Sequence, residues 1–440
     1  MTNLELGIWS FPVLMALIFL RVPIGLAMLL AGFVGSGLVL GRWSPVLAQM
    51  KGLTYDTFSN YSLSIVPLFL LMGQFATLGG MSKSLFNAAE TWLGHRKGGV
   101  AMAAVGACGG FGAICGSSLA TAATMGQVAL PELRRFGYSN ALATGCLAAG
   151  GTLGILIPPS VVLVIYAILT EQNIAKLFVA AFIPGFLAAL GYIITISIYV
   201  RLNPGSAGMR ERAPYSERFK ALAEVWPVLV IFLVVIGGIY GGFFTPTEAA
   251  AVGAAGTGLV AFVNGGLSRK TFIDAILSTA VSTGMIFLIV LGASSYNSFL
   301  AFSRLPQEAA LFVTEQGFNP WLVMAIILLC YLVFGCIMDS LSMILLTIPI
   351  FFPVVMALDY GLQPEELALW FGIIVLIVVE VGLITPPVGM NLFVINSMSN
   401  GAPISQTFRG AMPFVASDLV RVVILTAFPG ITLLLVRLLY

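Results

Sequence analysis

The sequence predicts an all-α polytopic membrane protein that consists of two inverted repeats. The first observation is composition: 59% of the 440 residues are hydrophobic and only 9% are charged, whereas soluble globular domains carry about 25% charged residues. The second is a series of apolar segments, separated by polar breaks, that are long enough to enter a bilayer. The third is a set of helix-breaking motifs that occurs in the same order in both halves of the chain.

The apolar segments are bounded by polar residues, proline or glycine, which interrupt regular secondary structure. At ~20 residues per crossing, a chain of this length allows roughly ten to fourteen membrane segments. The segments span residues 4–20, 22–41, 61–80, 98–130, 139–171, 174–200, 222–244, 246–264, 272–302, 318–358, 366–399 and 408–438. The polar stretch 201–221 is interpreted as a cytoplasmic linker between a first repeat at 1–200 and a second repeat at 222–440.

Three pairs of short motifs support a duplication. A G-x-x-x-P-P motif begins at Gly154 in the first half and at Gly382 in the second. Upstream of each motif lies a segment that begins with glycine and ends with serine, and each half also begins with a similar proline-containing apolar stretch. These further pairs are Gly112–Ser117 with Gly335–Ser340, and Phe11–Leu14 with Trp226–Leu229. Chance similarity between apolar segments is the alternative explanation.

Each half contains one predicted re-entrant hairpin and one predicted broken helix. The hairpins are expected at 98–136 and 318–358, where polar or small residues interrupt an apolar segment. The broken helices are expected at 139–171 and 366–399, because two consecutive prolines unwind a helix locally. Unwound backbone at membrane depth is tolerated only where it lines a cavity or is buried in protein. Paired interruptions in two halves therefore indicate the binding site of a transporter.

The distribution of basic residues predicts the orientation. If each hairpin enters and leaves on one side, each half has five true crossings and the halves are inverted relative to each other. With 201–221 in the cytoplasm, 14 of the 20 basic residues lie inside and 5 lie outside, while Arg421 lies within a helix. Because positive residues prefer the cytoplasmic side, we expect a multi-pass protein with both termini on the outer side.

The interruptions predict a cation site in each half. Na⁺ takes several oxygen ligands, and the unwound backbone of a broken helix supplies carbonyl oxygens. Hydroxyl groups at the facing hairpin tip would complete the shell. The predicted ligands are Ser117, Ser118, Gly154, Ile157 and Pro159 in the first half, and Gly335, Asp339, Gly382, Thr385 and Val388 in the second.

The same interruptions predict an anion site. Half-helices that begin at the hairpin tips and after the double prolines direct their positive N-terminal ends inward, where a carboxylate can bind. Close packing of small residues is the alternative explanation for the composition of the first tip. The predicted substrate-binding residues are Ser117, Thr121, Ser160, Ser340, Ser342 and Asn391.

Charged residues within apolar segments are costly and usually functional. Asp418 and Arg421 are three residues apart and are interpreted as a structural pair on one helix. Glu248 follows a threonine at a helix start, where a carboxylate caps free backbone donors. Asp339 could contact an ion or cap the second hairpin tip, and Glu380 could be structural or functional.

Sequence motifs exclude several other functions. The chain contains no H-E-x-x-H, P-loop, G-x-S-x-G or G-x-G-x-x-G motif, so we predict neither an enzyme nor an ATP-hydrolysing subunit and expect no cofactor. A net charge of +2 without a basic block argues against a nucleic-acid partner. His95 is the only histidine, which disfavours a histidine-based proton relay.

Four strings resemble the large membrane subunit of tripartite ATP-independent periplasmic (TRAP) transporters, and the resemblance covers essentially the whole chain. The strings are Gly116–Thr121, Gly154–Ser160, Gly237–Val252 and Thr385–Asn391. The resemblance implies an elevator-type transporter that is driven by a Na⁺ gradient in a bacterial inner membrane. It also implies a small four-helix membrane subunit, expected as a separate chain, and a periplasmic binding protein that delivers an organic acid.

The leading functional prediction is a Na⁺-coupled importer of carboxylates, and the sequence leaves alternatives to it open. A proton-coupled transporter could use Asp339 or Glu380, and a channel or scaffold subunit is a further possibility that duplicated broken helices disfavour. The acid itself is not specified, since C4-dicarboxylates, sialic acids and other sugar acids would all suit the predicted site.

Overall fold

The structure is a computed structural model that describes residues 2–399 and 401–440; Met1 and Asn400, in the predicted first and second repeats, lie outside the described residues. Within these ranges all regular secondary structure is helical, which confirms the all-α prediction. The α-helices are α1 (Asn3–Phe19), α2 (Ile24–Leu40), α3 (Trp43–Ser59), α4 (Ile65–Leu78), α5 (Met81–Leu93), α6 (Gly99–Cys115), α7 (Ser118–Arg135), α8 (Asn140–Leu156), α9 (Val161–Thr170), α10 (Ile174–Leu202), α11 (Tyr215–Ala223), α12 (Trp226–Tyr240), α13 (Pro246–Val263), α14 (Arg269–Ser303), α15 (Leu305–Glu315), α16 (Pro320–Gly335), α17 (Ser340–Met356), α18 (Pro364–Gly382), α19 (Met390–Ser397), α20 (Ile404–Ala427) and α21 (Pro429–Leu439).

The helix lengths fit a protein that crosses a membrane several times. Five helices in the described ranges are long and apolar enough to span a bilayer by themselves: α10, α13, α14, α20 and α4 with the 3₁₀ turn before it. Six further apolar helices have 10–17 residues. Many large apolar side chains are exposed on helices such as α2, α12 and α14, which a soluble monomer rarely shows over extended patches.

Two pairs of consecutive, contacting helices cover the ranges predicted as hairpins. In the first half α6 packs against α7, and the turn between them contains Gly116 with a positive φ of 64°. In the second half α16 packs against α17 across a short irregular segment, residues 336–339. Ser117 and Asp339 are the N-cap residues of α7 and α17. Each turn therefore ends at a side chain that accepts hydrogen bonds from the following helix.

The ranges predicted as broken helices each contain two helices separated by the double-proline segment. α8 and α9 meet at an angle of 43°, and residues 383–389 separate α18 from α19. α8 from Leu142 onward and α18 from Leu367 onward are buried on all faces. A helix that is apolar all round belongs in the interior of a large bundle, and these two helices form the centre of the protein.

The buried broken helices are surrounded by specific neighbours. α8 contacts α6, α7 and α20, while α18 contacts α16, α17 and α20. Glycine allows a close approach between α8 and α20, since a Cβ atom on Gly145 of α8 would lie 2.3 Å from the carbonyl carbon of Gly410 of α20. Outside this centre, α14 packs along α2, and α13 packs along α4.

The predicted linker 201–221 contains the end of α10, an irregular segment at 203–214 and most of α11. The irregular segment is bound to neighbouring turns, because Ser139 N donates to Ser206 O at 2.9 Å and Arg210 N donates to Gly94 O at 3.0 Å. The Arg210 guanidinium also lies 3.3 Å from the Glu90 carboxylate. The linker is thus anchored at several points to the turns around the first helix pair.

Candidate functional site

The tip of the first helix pair packs directly on the break between α8 and α9. A Cβ atom on Gly112 of α6 would lie 2.5 Å from the Cα of Gly154 of α8. A Cβ atom on Gly154 would in turn lie 2.7 Å from the carbonyl oxygen of Ser117, and it would clash with the Thr121 hydroxyl. The structure therefore brings together Ser117 and Gly154, which were predicted as cation ligands, and Thr121, which was predicted to bind substrate.

The double-proline segment continues this contact. Gly116 lies against the carbonyl oxygen of Pro159, which is 3.1 Å from the position of a Cβ on Gly116. Ser160 is buried and caps α9 by accepting a hydrogen bond from Leu163 N. Ile157 instead packs its side chain against Gly109 and Gly185, so only its backbone is available to a ligand.

The second half repeats the close approach with its own glycines. A Cβ atom on Gly382 of α18 would lie 2.5 Å from the carbonyl carbon of Gly335 of α16. Gly389 N, beyond the double proline, donates to Cys336 O at 3.2 Å. Thr385 directs its hydroxyl to Val381 O at 2.6 Å, which leaves hydroxyl lone pairs for another partner. Val388 lies in the irregular segment that follows Pro387.

Asp339 caps the second tip. Its carboxylate accepts a hydrogen bond from Ser342 N at 3.0 Å and another from the Ser342 hydroxyl. Both oxygens therefore stabilise the first turn of α17. Of the two roles that the sequence left open for Asp339, this geometry favours the cap, and Ser342 is occupied in the same interaction.

Glu380 connects the tips of both helix pairs, although the sequence left its role open and the predicted ligand set omitted it. The Ser340 hydroxyl donates to Glu380 Oε1 at 2.6 Å, and the Ser118 side chain also lies within interaction range of the carboxylate. Ser118 and Ser340 are the first residues of α7 and α17. Glu380 therefore interacts with the first residue of α7 and with the first residue of α17.

Three buried acceptor oxygens near the interruptions have no hydrogen-bond partner: Thr121 Oγ1, Glu380 Oε2 and Asn391 Oδ1. Asn391 lies on α19, one turn after the second break, and its Nδ2 donates to Ala148 O of α8 at 3.3 Å. It therefore joins the two halves directly. Buried polar atoms are usually satisfied, and each exception calls for an explanation such as an ion or ligand that is bound in function.

The other charged residues that the sequence places within apolar segments, Asp418, Arg421 and Glu248, have structural partners. Arg421 Nη2 lies 2.9 Å from Asp418 Oδ1, and Asp418 Oδ2 accepts a hydrogen bond from the buried Tyr192 hydroxyl at 2.7 Å. The predicted pairing of Asp418 and Arg421 is therefore present. Glu248 completes a capping box with Thr245 at the start of α13, as its position predicted.

A cavity of about 820 Å³ lies beside Arg421, between α10 and α20. Its lining consists mainly of apolar side chains such as Leu190, Ile194 and Val420, and it includes none of the predicted cation or substrate residues. The predicted site instead lies among closely packed, largely buried helices.

The fold and the site together define an α-helical integral membrane protein whose interrupted helices meet at its centre, an arrangement that membrane transporters use for binding sites. The family model for the "Tripartite ATP-independent periplasmic transporter, DctM component" matches residues 11–431. The chain belongs to this family, the large permease subunits of TRAP transporters, which confirms the resemblance seen in the motifs.

Individual relatives agree with this assignment. The chain is 38% identical to the C4-dicarboxylate TRAP transporter large permease protein of Pseudomonas aeruginosa, over 87% of each chain. It is 30% identical to the isethionate TRAP transporter permease protein of Oleidesulfovibrio alaskensis, over 93% of this chain and 63% of that longer one. The crystal structure of the YdaH transporter of Alcanivorax borkumensis shares the fold, with a TM-score of 0.59, 14% identity and coverage of 88% and 89% of the two chains.

Proposed function

We propose that this protein imports an organic acid across a bacterial inner membrane together with Na⁺. The observation that carries the proposal is that Thr121, Glu380 and Asn391, which lie on helices next to the interruptions, each have a buried acceptor oxygen without a partner. An acceptor that is buried without a donor costs free energy, and a bound cation satisfies several acceptors at once. The adjacent carbonyls of Ser117 and Pro159 add ligands of the type that Na⁺ prefers.

An anionic substrate fits the same region. α7, α9, α17 and α19 all begin at the interruptions, and helix N-termini favour negative charge. The hydroxyl of Ser160 and the amide of Asn391 would orient a carboxylate there. The two relatives described above are named for a C4-dicarboxylate and for isethionate, and both compounds are organic anions.

We propose that the chain acts with a separate small four-helix membrane subunit and a periplasmic binding protein. The family name describes a tripartite transporter. The isethionate relative is named DctMQ and is longer than this chain, which supports a close association with a second membrane component. In this arrangement both termini face the periplasm and residues 201–221 face the cytoplasm.

The helices fall into two groups according to their contacts, and this division supports an elevator movement. Helices α6–α10 and α16–α20 surround the interruptions, whereas α2, α4, α13 and α14 form a second group. Short helices such as α5 and α15 connect the two groups along the chain. In our proposal the first group, which carries the site, moves across the membrane against the second.

Proton coupling is the second candidate, and Glu380 is the observation that favours it. This carboxylate is 1% exposed, and a buried carboxyl group can carry a proton between two sides of a membrane. The Na⁺ proposal is preferred because acceptor oxygens at both interruptions, rather than one carboxylate, lack partners.

The test is uptake into proteoliposomes that contain the complete transporter, with radiolabelled succinate as a C4-dicarboxylate probe and N-acetylneuraminate as a sugar-acid probe. We expect uptake only with an inward Na⁺ gradient and the cognate binding protein. Replacement of Na⁺ by choline is the control for osmotic effects. If uptake continues without Na⁺ but stops when a protonophore is added, the coupling ion is H⁺ and the proton-coupled candidate is correct.

A further inference from the structure

A buried positive charge lies beside the turn between α5 and α6, outside the candidate transport site. Arg218 of α11 is only 4% exposed, and its guanidinium lies over the rings of Trp92 and Tyr215, at 5.7 and 5.2 Å from their centroids. Its Nη2 is 3.4 Å from His95 Nδ1, and its Nε has no hydrogen-bond partner. Among the described residues no carboxylate forms an ion pair with Arg218. A buried charge without a counter-charge is strongly disfavoured.

Two further guanidinium groups adjoin this buried charge. Arg212 lies over the same tyrosine ring, and Arg96 follows His95 in the turn. Partial burial lowers the pKa of His95, and the three guanidinium charges lower it further, so all of them act on one place. Arg96 and Arg212 are exposed and form no ion pair within the described ranges, and the same holds for the acidic residues nearest in sequence, Glu211 and Glu217. The cluster is therefore open to an external anion.

An apolar groove begins beside this cluster. It has a volume of about 400 Å³ and runs between α5, α6 and the junction of α11 with α12. Its lining includes Trp92, whose ring carries the Arg218 guanidinium, and apolar side chains such as Leu85 and Leu222. The groove reaches Gly106, about two turns into α6. One end of the groove thus lies at the cations, and the rest of its lining is apolar.

The helix that carries the buried arginine also has an exposed apolar face. Tyr215, Phe219 and Leu222 are exposed, and their spacing places them on one side of α11. The exposed Trp226 continues this face into the apolar helix α12, which meets α11 at an angle of 44°. Aromatic and basic side chains at the end of an apolar helix are typical of the boundary between lipid headgroups and acyl chains.

We propose that the cationic cluster and the groove form a binding site for an anionic phospholipid. The phosphate supplies the counter-charge that Arg218 lacks, because guanidinium groups bind phosphate oxygens through paired N–H donors. One acyl chain lies in the groove along Trp92. A lipid with net negative charge is favoured over a zwitterionic lipid, since three guanidinium groups repel a choline cation. The site is separate from the proposed Na⁺ coupling and does not depend on it.

The experiment measures lipid binding to the full-length chain in detergent micelles through quenching of tryptophan fluorescence. The probes are phosphatidylglycerol and phosphatidylcholine with the same brominated acyl chains, because bromine quenches a tryptophan that it contacts. We expect phosphatidylglycerol to bind about tenfold more tightly at low ionic strength, and salt should reduce this difference. Trp92→Phe should lose the part of the quenching that is specific to phosphatidylglycerol.

A first pair of variants tests the cations. Replacement of both Arg96 and Arg212 by glutamine should weaken phosphatidylglycerol binding at least about tenfold and leave phosphatidylcholine binding unchanged. Both side chains are exposed, so the fold should tolerate the change. The matched control replaces Arg269 and Lys270, two exposed cations at the start of α14, and should bind phosphatidylglycerol like the wild type.

A second pair of variants tests the groove. Nothing lies within 4 Å of a Cβ atom on Gly106, so in Gly106→Leu the new side chain enters the groove without displacing a neighbour. This variant should abolish the quenching that is specific to phosphatidylglycerol. Gly284→Leu on α14 is the matched control, because a Cβ atom there also meets nothing within 4 Å, and it should bind both lipids like the wild type.

Four results would overturn the inference. The first is equal affinity for the two lipids, and the second is unchanged phosphatidylglycerol binding in the double arginine variant or in Gly106→Leu. The third is complete displacement of the lipid by inorganic phosphate at constant ionic strength, which would indicate a site for a soluble anion. The fourth is loss of lipid binding when the small membrane subunit is added, which would make the groove a subunit interface.

Discussion

Gly335 and Gly382 approach so closely that a Cβ atom on Gly382 would lie 2.5 Å from the carbonyl carbon of Gly335. Gly112 and Gly154, which occupy the matching positions of the sequence motifs, make the same kind of contact in the first half. In each half the glycine pair lets the first helix of a hairpin touch the broken helix just before its interruption. These two contacts fix the distance between the tip hydroxyls and the unwound backbone.

Gly382→Ala should therefore destabilise the protein and displace the second tip. The added methyl group meets backbone atoms that cannot rotate away, and overpacking of this kind typically costs about 1–3 kcal/mol. Thermal unfolding in detergent measures the loss. Gly284→Ala on α14 is the matched control, because nothing lies within 4 Å of a Cβ there. Equal unfolding temperatures for the two variants would show that the glycine contact has no structural role.

The sequence was sufficient to predict the class, the interruptions and most of the elements around them. Composition alone excludes a soluble domain, and double prolines mark each break because proline has no backbone donor. The turn at Gly116 and the cap at Asp339 fall where polar residues interrupt apolar segments. These features are local, so a pattern in a single segment can reveal them.

The contacts between distant segments could not be predicted in the same way. Nothing in a single segment indicates that Glu380 meets Ser340, 40 residues away, or that Asn391 meets Ala148, 243 residues away. The one usable signal for Glu380 was its charge within an apolar segment beside a break, which indicates function without naming a partner. Asp339 carried the same signal, yet in the structure it caps a helix. The direction of the side chain decides between capping and ion contact, and a pattern in one segment does not contain that direction.

Asp339→Asn should be tolerated. Asparagine caps helices about as well as aspartate, and its amide oxygen can still accept the hydrogen bond from Ser342 N. We expect Na⁺ affinity within about twofold of the wild type, whereas Asp339→Ala should lower stability by about 1 kcal/mol. Na⁺ titration and thermal unfolding of both variants test this. A large loss of Na⁺ affinity in Asp339→Asn alone would mean that the carboxylate contacts the ion directly.

Tyr192→Phe should destabilise the centre of the bundle. The substitution removes the 2.7 Å hydrogen bond to Asp418 and the 2.9 Å contact with the Thr152 hydroxyl. A buried carboxylate oxygen that loses its donor costs about 1–3 kcal/mol. Tyr199→Phe serves as the control. Tyr199 lies two turns further along α10, and its hydroxyl makes no hydrogen bond to the described residues. Equal unfolding temperatures for the two variants would show that the hydrogen bonds of Tyr192 do not stabilise the bundle.

The proposed orientation predicts from which side of the membrane an impermeant reagent can reach two exposed residues. Ser216 lies in the linker region and Gln316 follows α15, and both are exposed. In a Cys330→Ala background, where the remaining cysteines are buried, Gln316→Cys should react with an impermeant maleimide added to intact spheroplasts. Ser216→Cys should react only after the membrane is opened. The reverse pattern would invert the topology and place both termini in the cytoplasm.

Thr385→Val should weaken Na⁺ binding without changing the fold. Valine keeps the shape of threonine but lacks the hydroxyl, whose lone pairs are free to contact an ion because the group donates to Val381 O. Loss of one ligand worth about 1.4 kcal/mol lowers affinity about tenfold, and Thr385→Ser should retain most of it. Thr195→Val on α10 is a close control, since Thr195 is also half-buried and donates to the carbonyl four residues earlier at 2.8 Å. If Na⁺ titration gives the same affinity for Thr385→Val and Thr195→Val, the Thr385 hydroxyl contributes no ligand to the second cation site.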